Sequence, residues 1–281
     1  YRTTNQGATW LLNGTYGTEI DDIYFASQQA GMFSAMVSGS VTIYYSTTTG
    51  DTWTQTYTSS TDFIHHFDFI NSTTGYALTD KYSLPSKLLK TTNGGVNWQL
   101  LRNLPFGSGF DNSFEMVSEQ TGYVYSNVVY GTFRRTTNEG QSWDSIPLRD
   151  VPTTGIFTLA FKNTSTGFAM GNGGETFYTS NSGSNWICRS SQWGILRSLY
   201  FAKFFDDNNG ILLGAGNIIK TFNGGTNWNL YKANCNFYTA YFLNAQTGYS
   251  LASDSLVKTT NGGVNWNLAG NGVFPNGLGS I

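Results

Sequence analysis

The sequence predicts an all-β, seven-bladed β-propeller with six complete four-stranded blades and an N-terminal half blade. Three observations lead there. The frame Ser/Thr-x-Asn-x-Gly-x-x-Trp occurs seven times, ending at Trp10, Trp53, Trp98, Trp143, Trp186, Trp228 and Trp266, with Thr48 in the Asn place of the second copy. Successive motif tryptophans stand 43, 45, 45, 43, 42 and 38 residues apart. That period belongs to stacked supersecondary units, none of which can bury its apolar face alone. A second signal precedes six of the turns: a large apolar residue followed six residues later by Gly, as in Phe25/Gly31, Phe69/Gly75, Met116/Gly122, Phe161/Gly167, Phe204/Gly210 and Phe242/Gly248. Each unit then reads strand, Gly-turn, strand, loop, strand, Asn-Gly turn, strand, which is a propeller blade.

The Trp frame carries its own chemistry. Asn at the third place (Asn93, Asn261) can hydrogen-bond the backbone two residues on. Gly at the fifth place (Gly95, Gly263) supplies the positive φ of a tight hairpin. Trp opens the returning strand, packs between units and is expected to give its N–H to a turn acceptor. The first-place hydroxyl can bond the turn backbone. These residues are therefore read as a structural repeat motif.

Along the chain the blade units cover about 1–14, 18–57, 62–102, 112–148, 155–188, 197–232 and 236–269, in one domain spanning 1–269. The first segment holds one hairpin. The second complete unit has an inner strand at 63–69. The tail 270–281, rich in Gly and Asn, reads as a loop or linker. Between-unit connections are longest near 103–112, 149–155 and 188–197.

Only 11% of the residues are charged and the formal net charge is −2, against roughly a quarter charged in average soluble domains. No basic stripe suits a nucleic acid, and no run approaches the ~18 apolar residues of a membrane helix. The polar surface is built from Thr, Ser and Asn. The two cysteines, Cys188 and Cys235, fall in neighbouring units; a disulfide and two separate thiols both fit. The only histidines, His65 and His66, are adjacent and make no metal-site spacing.

The Trp frame resembles the Asp-box of sialidase-type propellers. The strand Thr74-Gly75-Tyr76-Ala77 followed by the turn Thr91 to Trp98 is similar to the repeats of the photosystem II assembly factor family, also represented among bacterial secreted proteins. The resemblance covers nearly the whole chain and implies the propeller fold. It departs at the third place, where no copy has Asp, so it implies no cation at these turns.

A sialidase would need three converging arginines, a Tyr nucleophile with its Glu, and an Asp acid, and the Arg-Ile-Pro motif of that group is absent. A propeller glycosidase needs two carboxylates facing across a sugar. The inner-strand candidates are Asp22, Asp68 and Glu115, read as standing at corresponding heights in successive units. His66, two residues before Asp68, is either an acid/base partner or an ordinary same-face neighbour. Trp193, flanked by Arg189 and Arg197, can serve as a stacking platform or fold down as a lid on a blade seam.

These residues form a set of possible ligand-binding positions, with no catalytic residue, metal or cofactor assigned. The function expected is a non-catalytic, secreted or cell-surface propeller that binds a protein or glycan at the channel mouth, within a larger surface assembly. A sialidase-like glycan hydrolase is the alternative. A photosystem-type assembly factor ranks last, because the basic residues are scattered. The setting expected is extracellular or cell-surface, in a bacterium. Asp144-Ser145-Ile146 and Asp254-Ser255-Leu256 resemble a short bacterial O-glycosylation sequon. Applying the Gly-to-Trp spacing to Trp10 also leads to the expectation that further residues precede Tyr1 and complete the first blade, and that sequence continues past Ile281.

If the motif tryptophans wedge the sheets together, Trp98→Ala and Trp143→Ala should each cost about 3–5 kcal/mol, read by chemical denaturation. A loss within the range of surface substitutions would remove their structural role.

Overall fold

The computed structural model describes residues 1–27, 29–60, 63–80, 86–106, 114–126, 132–146, 155–189, 197–252 and 255–269, without the side chains of His65, Asp80, Ser126 and residues 232–235. Trp193, Asp254 and the tail 270–281 lie outside these residues. Blade one is β1 (Glu19–Phe25), β2 (Gly31–Val37), β3 (Ser40–Ser46) and β4 (Thr54–Ser59). Blade two is β5 (Phe63–Phe69), β6 (Gly75–Asp80), β7 (Lys87–Thr91) and β8 (Gln99–Asn103). Blade three is β9 (Phe114–Met116), β10 (Gly122–Ser126), β11 (Thr132–Thr136) and β12 (Asp144–Ile146). Blade four is β13 (Ile156–Phe161), β14 (Gly167–Gly171), β15 (Thr176–Thr179) and β16 (Ile187–Cys188). Each is an antiparallel four-stranded sheet in sequence order.

The fifth sheet has six strands: β17 (Leu199–Phe204), β18 (Gly210–Thr221), β19 (Asn229–Phe242), β20 (Gly248–Ala252), β21 (Ser255–Thr259) and β22 (Asn267–Leu268). It contains two blades. β18 doubles back on itself: Gly216 has φ 73°, and Gly210 lies against the Thr221 side chain. β19 pairs with β18 over its first residues and with β20 over its last. It is thus the outer strand of blade five and the inner strand of blade six, where the sequence suggests a break near 233–235. Among the described residues the only helical element is one 3₁₀ turn, Asn172–Gly174, and no helix is long and apolar enough to cross a membrane.

All seven Trp turns share one hydrogen-bond pattern. In the third copy the Thr91 hydroxyl accepts the Gly95 N–H at 2.9 Å and donates to Asn93 Oδ1 at 3.0 Å, while that oxygen accepts the Asn97 N–H at 2.9 Å. In the second copy Thr48 Oγ1 takes the place of the Asn oxygen and accepts the Thr52 N–H at 2.9 Å. These contacts hold two successive residues at positive φ, for example Ser182 (54°) with Gly183 (67°). The second must be Gly for a further reason. A Cβ on Gly183 would stand 2.4 Å from the Tyr123 ring of blade three, and one on Gly225 would stand 2.2 Å from the Phe168 ring of blade four.

The apolar-x5-Gly frame has an equally direct cause. The Phe ring lies flat over the glycine, so that a Cβ on Gly31, Gly75, Gly167 or Gly248 would fall 2.5–2.6 Å from it. Burying this side chain, a Phe ring in five blades and Met116 in blade three, against the backbone of the paired strand fixes the register of the inner hairpin.

The cores are the seams between blades. Met32, Val41 and Ile43 of blade one pack with Ile64, Phe67 and Trp98 of blade two. Equivalent clusters follow at the next four seams, such as Tyr123 and Phe133 against Ile156 and Phe177. Trp98 is buried and the other six motif tryptophans are half-buried. Trp266 donates its indole N–H to Gly263 O at 3.0 Å, as expected, but the indole nitrogens of Trp98, Trp143 and Trp186 are buried without an acceptor.

The N-terminal hairpin packs against blade six. Arg2 and Leu11 pair across it. Its Gly7 faces Tyr249 of blade six as every other motif glycine from blade two onward faces the blade before it, and Trp10 joins Leu251, Leu256 and Ala269. A cationic side chain just before several Trp frames reaches the fourth-place residue of the next turn. Lys90 pairs with Glu139, Arg135 donates to Ser182 O at 2.7 Å, Lys258 to Gln6 O at 3.0 Å, and Arg2 to Thr49 O at 3.0 Å. The last two clasps carry the outer ring from blade six through the hairpin to blade one. Tyr16 then lies on Phe33 and Tyr44 of blade one.

Two glycines separate the conformational requirement from the steric one. Gly39 has φ 81° and nothing within 4 Å of an added Cβ; Gly225 has φ 83° and the Phe168 ring at 2.2 Å. Gly39→Ala should cost about 1 kcal/mol for its backbone conformation, and Gly225→Ala about 2–4 kcal/mol once overpacking is added. Urea midpoints of the two variants check this; equal losses would contradict the close blade contact.

Candidate functional site at the propeller axis

Six inner strands surround the axis, and among the described residues five of them carry a β-bulge at the same place. The register shifts at Asp21, His65, Phe157, Tyr200 and Tyr238, four residues before the Phe of each frame. A bulge re-aims the side chain it carries. In blades four to six the bulged residues make one aromatic row: Phe157 and Tyr200 at 5.3 Å between ring centroids, Tyr200 and Tyr238 at 6.1 Å. Tyr238 is exposed.

One residue before the frame's large apolar residue, each inner strand presents a side chain toward the next blade. From blade one to blade six these are Tyr24, Asp68, Glu115, Ala160, Lys203 and Tyr241. Asp68 Oδ2 accepts the Met116 N–H of blade three, and Glu115 Oε1 accepts the Phe161 N–H of blade four at 3.1 Å. Asp22 does the same two residues earlier, accepting the Phe67 N–H at 2.7 Å. Tyr241 donates its hydroxyl to Phe25 O at 3.2 Å, joining blade six to blade one. Such a bond is charge-assisted, and stronger than a neutral one, when the carboxyl is ionised. The three inner-strand carboxyls are therefore clasps between blades. Asp68 and Glu115 stand at matching positions, but Asp22 does not; it matches His66.

Electrostatics follow from this crowding. Burial raises the pKa of Asp68, against the pull of His66 and of the Met116 and Phe69 N–H groups. Burial first, and Asp68 second, push Glu115 up to about 8, and its Oε2 is buried without a partner. His66 is lowered by burial, opposed by Asp68. Nearly half of its side-chain surface is open (47%), so burial disfavours the charged form only in part. Its Nδ1 lies 3.8 Å from Asp22 Oδ2, and it also interacts electrostatically with Asp68, the partner expected from the sequence.

The other candidates lie elsewhere. The Arg189 guanidinium sits 4.0 Å over the Tyr178 ring on the outer strands of blade four, and Arg197 is exposed before β17. Their expected companion Trp193 lies outside the described residues. Cys188 is exposed on β16. Among the described residues no group of three His, Cys, Asp or Glu is placed to hold a metal ion. Sequence reasoning missed the aromatic row and Lys203. The signal was available: aligning the six inner strands on their frame shows aromatics at the bulge in the last three and a sign change from Glu115 to Lys203.

Comparison with known proteins adds the following. Residues 46–194, more than half the chain, match the family described as Photosynthesis system II assembly factor YCF48. No curated protein matches. The fold is similar to a structure of YCF48 bound to D1 peptide, at 17% identity and TM-score 0.62, covering 89% of this chain and 81% of that one. It is also similar to the GH74 enzyme of Niastella koreensis (14% identity, TM-score 0.64, 88% of this chain and 46% of that one) and the GH74 xyloglucanase of Xanthomonas campestris (13%, 0.64, 90% and 45%). The chain thus spans less than half the length of these enzymes, and at such identities the likeness is one of fold. The family match corrects the extracellular or cell-surface bacterial setting expected from composition: a photosystem II assembly factor family points away from it.

The carboxyl clasps make stability depend on pH. Glu115 has a folded pKa near 8, above its ordinary 4.5, so the native state holds the extra proton between those values. Stability is then fully present below about 4.5 and is lost as pH rises toward 8. Asp68 acts in the same direction. His66, lowered in the fold, acts oppositely below its ordinary 6.5. Glu115→Gln should keep the Phe161 contact and flatten the loss between pH 5 and pH 8, measured as melting temperature. An unchanged pH profile would contradict the buried clasp.

Proposed function

The chain belongs to the Photosynthesis system II assembly factor YCF48 family, and on that premise we propose that it is a non-catalytic propeller that binds an extended segment of a protein partner at the mouth of its axis. The family match is the observation that carries this reading. The structure of YCF48 bound to D1 peptide supports a peptide as the class of partner. The axis supports it too: a row of aromatic side chains supplies contact area on a rigid frame, with inner strands already fixed by their clasps.

The arrangement of carboxyls favours binding over hydrolysis. Asp22, Asp68 and Glu115 each have an oxygen engaged by a backbone N–H of the neighbouring blade, whereas a glycosidase pair must face each other across a sugar. The likeness to GH74 enzymes concerns fold, and fold alone does not license an activity. The scattered basic residues that ranked the assembly-factor reading last have a structural task. Arg2, Lys90, Arg135 and Lys258 hold the turns of neighbouring blades, so they say nothing against a protein partner.

We further infer a ring of seven places, the seventh being held at its outer side by the hairpin of residues 1–12. The clasps Lys258 to Gln6 and Arg2 to Thr49 support that count.

An array of short peptides from the termini and loops of membrane-protein subunits, run beside xyloglucan and sialylated oligosaccharides, tests the function. Binding to a subset of peptides is expected, without release of sugar from any oligosaccharide. Retention of no peptide, or turnover of a glycan, would overturn it.

A further inference from the structure

The seam between blades five and six differs from its counterparts. Met116 and Phe161 stand opposite the glycine that opens strand two of their blade, and their N–H groups point toward the axis, where Asp68 and Glu115 accept them. Phe242 holds the same register opposite Gly248. Its N–H therefore points the same way. The side chain that should accept it, one residue before the frame in blade five, is Lys203. A lysine cannot accept a hydrogen bond; Ala160 at the preceding seam cannot either, but only here does a cation stand in the place that Asp68 and Glu115 fill at the second and third seams.

Lys203 has no acidic partner among the described residues. Its ammonium lies 5.9 Å from the centroid of the Tyr241 ring, a contact that leaves its hydrogen-bonding capacity unused. Burial lowers its pKa, which marks a cation short of compensation. The group missing from this seam is an acceptor that also offsets the Lys203 charge, and two internal examples show its placement: a carboxyl oxygen seated on the N–H at the frame position.

The same three blades carry the Phe157–Tyr200–Tyr238 row. Tyr200 precedes Lys203 on one strand by three residues, roughly 10 Å along an extended chain. Blades one to three face the axis with Asp22, His66, Asp68 and Glu115; blades four to six face it with aromatic rings and an uncompensated cation.

Resting on the peptide-binding reading above, we propose that the arc of blades four to six is the docking site, and that it takes a peptide carrying an acidic side chain. The carboxylate sits between the Lys203 ammonium and the Phe242 N–H, as Asp68 sits on Met116. An apolar side chain about three residues away lies on the Tyr200–Tyr238 rings. The acidic residue of the partner completes the clasp that this chain leaves open.

The probes are the blocked tetrapeptide acetyl-Phe-Gly-Gly-Glu-amide, its Gln counterpart, and acetate, titrated into the ¹⁵N-labelled full chain. The Glu peptide should shift the Phe242 amide and the Tyr238 environment, and the Gln peptide should bind about tenfold or more weakly, as loss of a charge-assisted contact implies. Lys203→Met should remove the difference between the peptides and Lys203→Arg should keep it. If the Met variant fails to fold, the wild-type comparison and the Arg variant decide the matter. Equal binding of Glu and Gln peptides, no binding of either, shifts confined to another surface, or acetate binding as tightly as the Glu peptide would each overturn the assignment. Array peptides that bind regardless of Lys203→Met would sink this site while leaving the protein-binding reading intact; an array without binders would sink that reading.

Discussion

A hydroxyl, an amide oxygen and two backbone N–H groups define the turn on which every blade depends. In the third copy they belong to Thr91, Asn93, Gly95 and Asn97, and the other copies repeat them. The turn holds two consecutive residues at positive φ, an arrangement that costs of order 1 kcal/mol or more per non-glycine residue when unsupported. In return it places the glycine face, with no Cβ, flat against a large side chain of the preceding blade. Remove the turn and the seam cores of Met32 with Trp98, or Phe168 with Trp228, lose their shape. The repeat is therefore a device for close approach between sheets, not only a way of reversing the chain.

A second layer of contacts joins the blades at both radii. Outside, cations reach the fourth-place residue of the next turn; inside, carboxyls reach the next inner strand. The two layers differ in exposure and so in their response to conditions. Lys90 with Glu119 is partly open to solvent (17% and 55% exposed side chains), and such a pair is weakened by salt. The axial carboxyls are buried against backbone donors, and salt reaches them poorly, whereas pH reaches them through the raised pKa of Glu115 and Asp68.

Most of the fold was legible because its determinants are local. The Trp frame and the apolar-x5-Gly frame act within a few residues of themselves, so spacing alone locates turns and inner hairpins. The inner strand at 63–69 matches β5 residue for residue. The continuity of β19 through the hand-over near 233–235 was not legible, since the sequence there reads as a connection between units. The site was less accessible for a physical reason. Asp22, Asp68 and Glu115 find their partners 45 to 48 residues away, and those partners are backbone amides, which leave no trace in side-chain sequence. Carboxyls that look like a catalytic set each hold a backbone N–H of the next blade, while Lys203, an ordinary residue in a strand, stands out only when the inner strands are superposed and its counterparts prove acidic or neutral. The setting was misjudged because a surface rich in Thr, Ser and Asn does not distinguish one compartment from another.

Residue-resolved amide hydrogen exchange at the axis discriminates most directly between a ring closed on all sides and one with an acceptor missing. In the free protein the Phe67, Met116 and Phe161 amides, each held by a carboxyl, should exchange slowly, and the Phe242 amide beside Lys203 should exchange markedly faster. Addition of an acidic peptide should slow Phe242 alone. Equal protection of all four amides in the free protein would mean that the fifth seam is already closed, and that the axis offers no place for a partner's carboxylate.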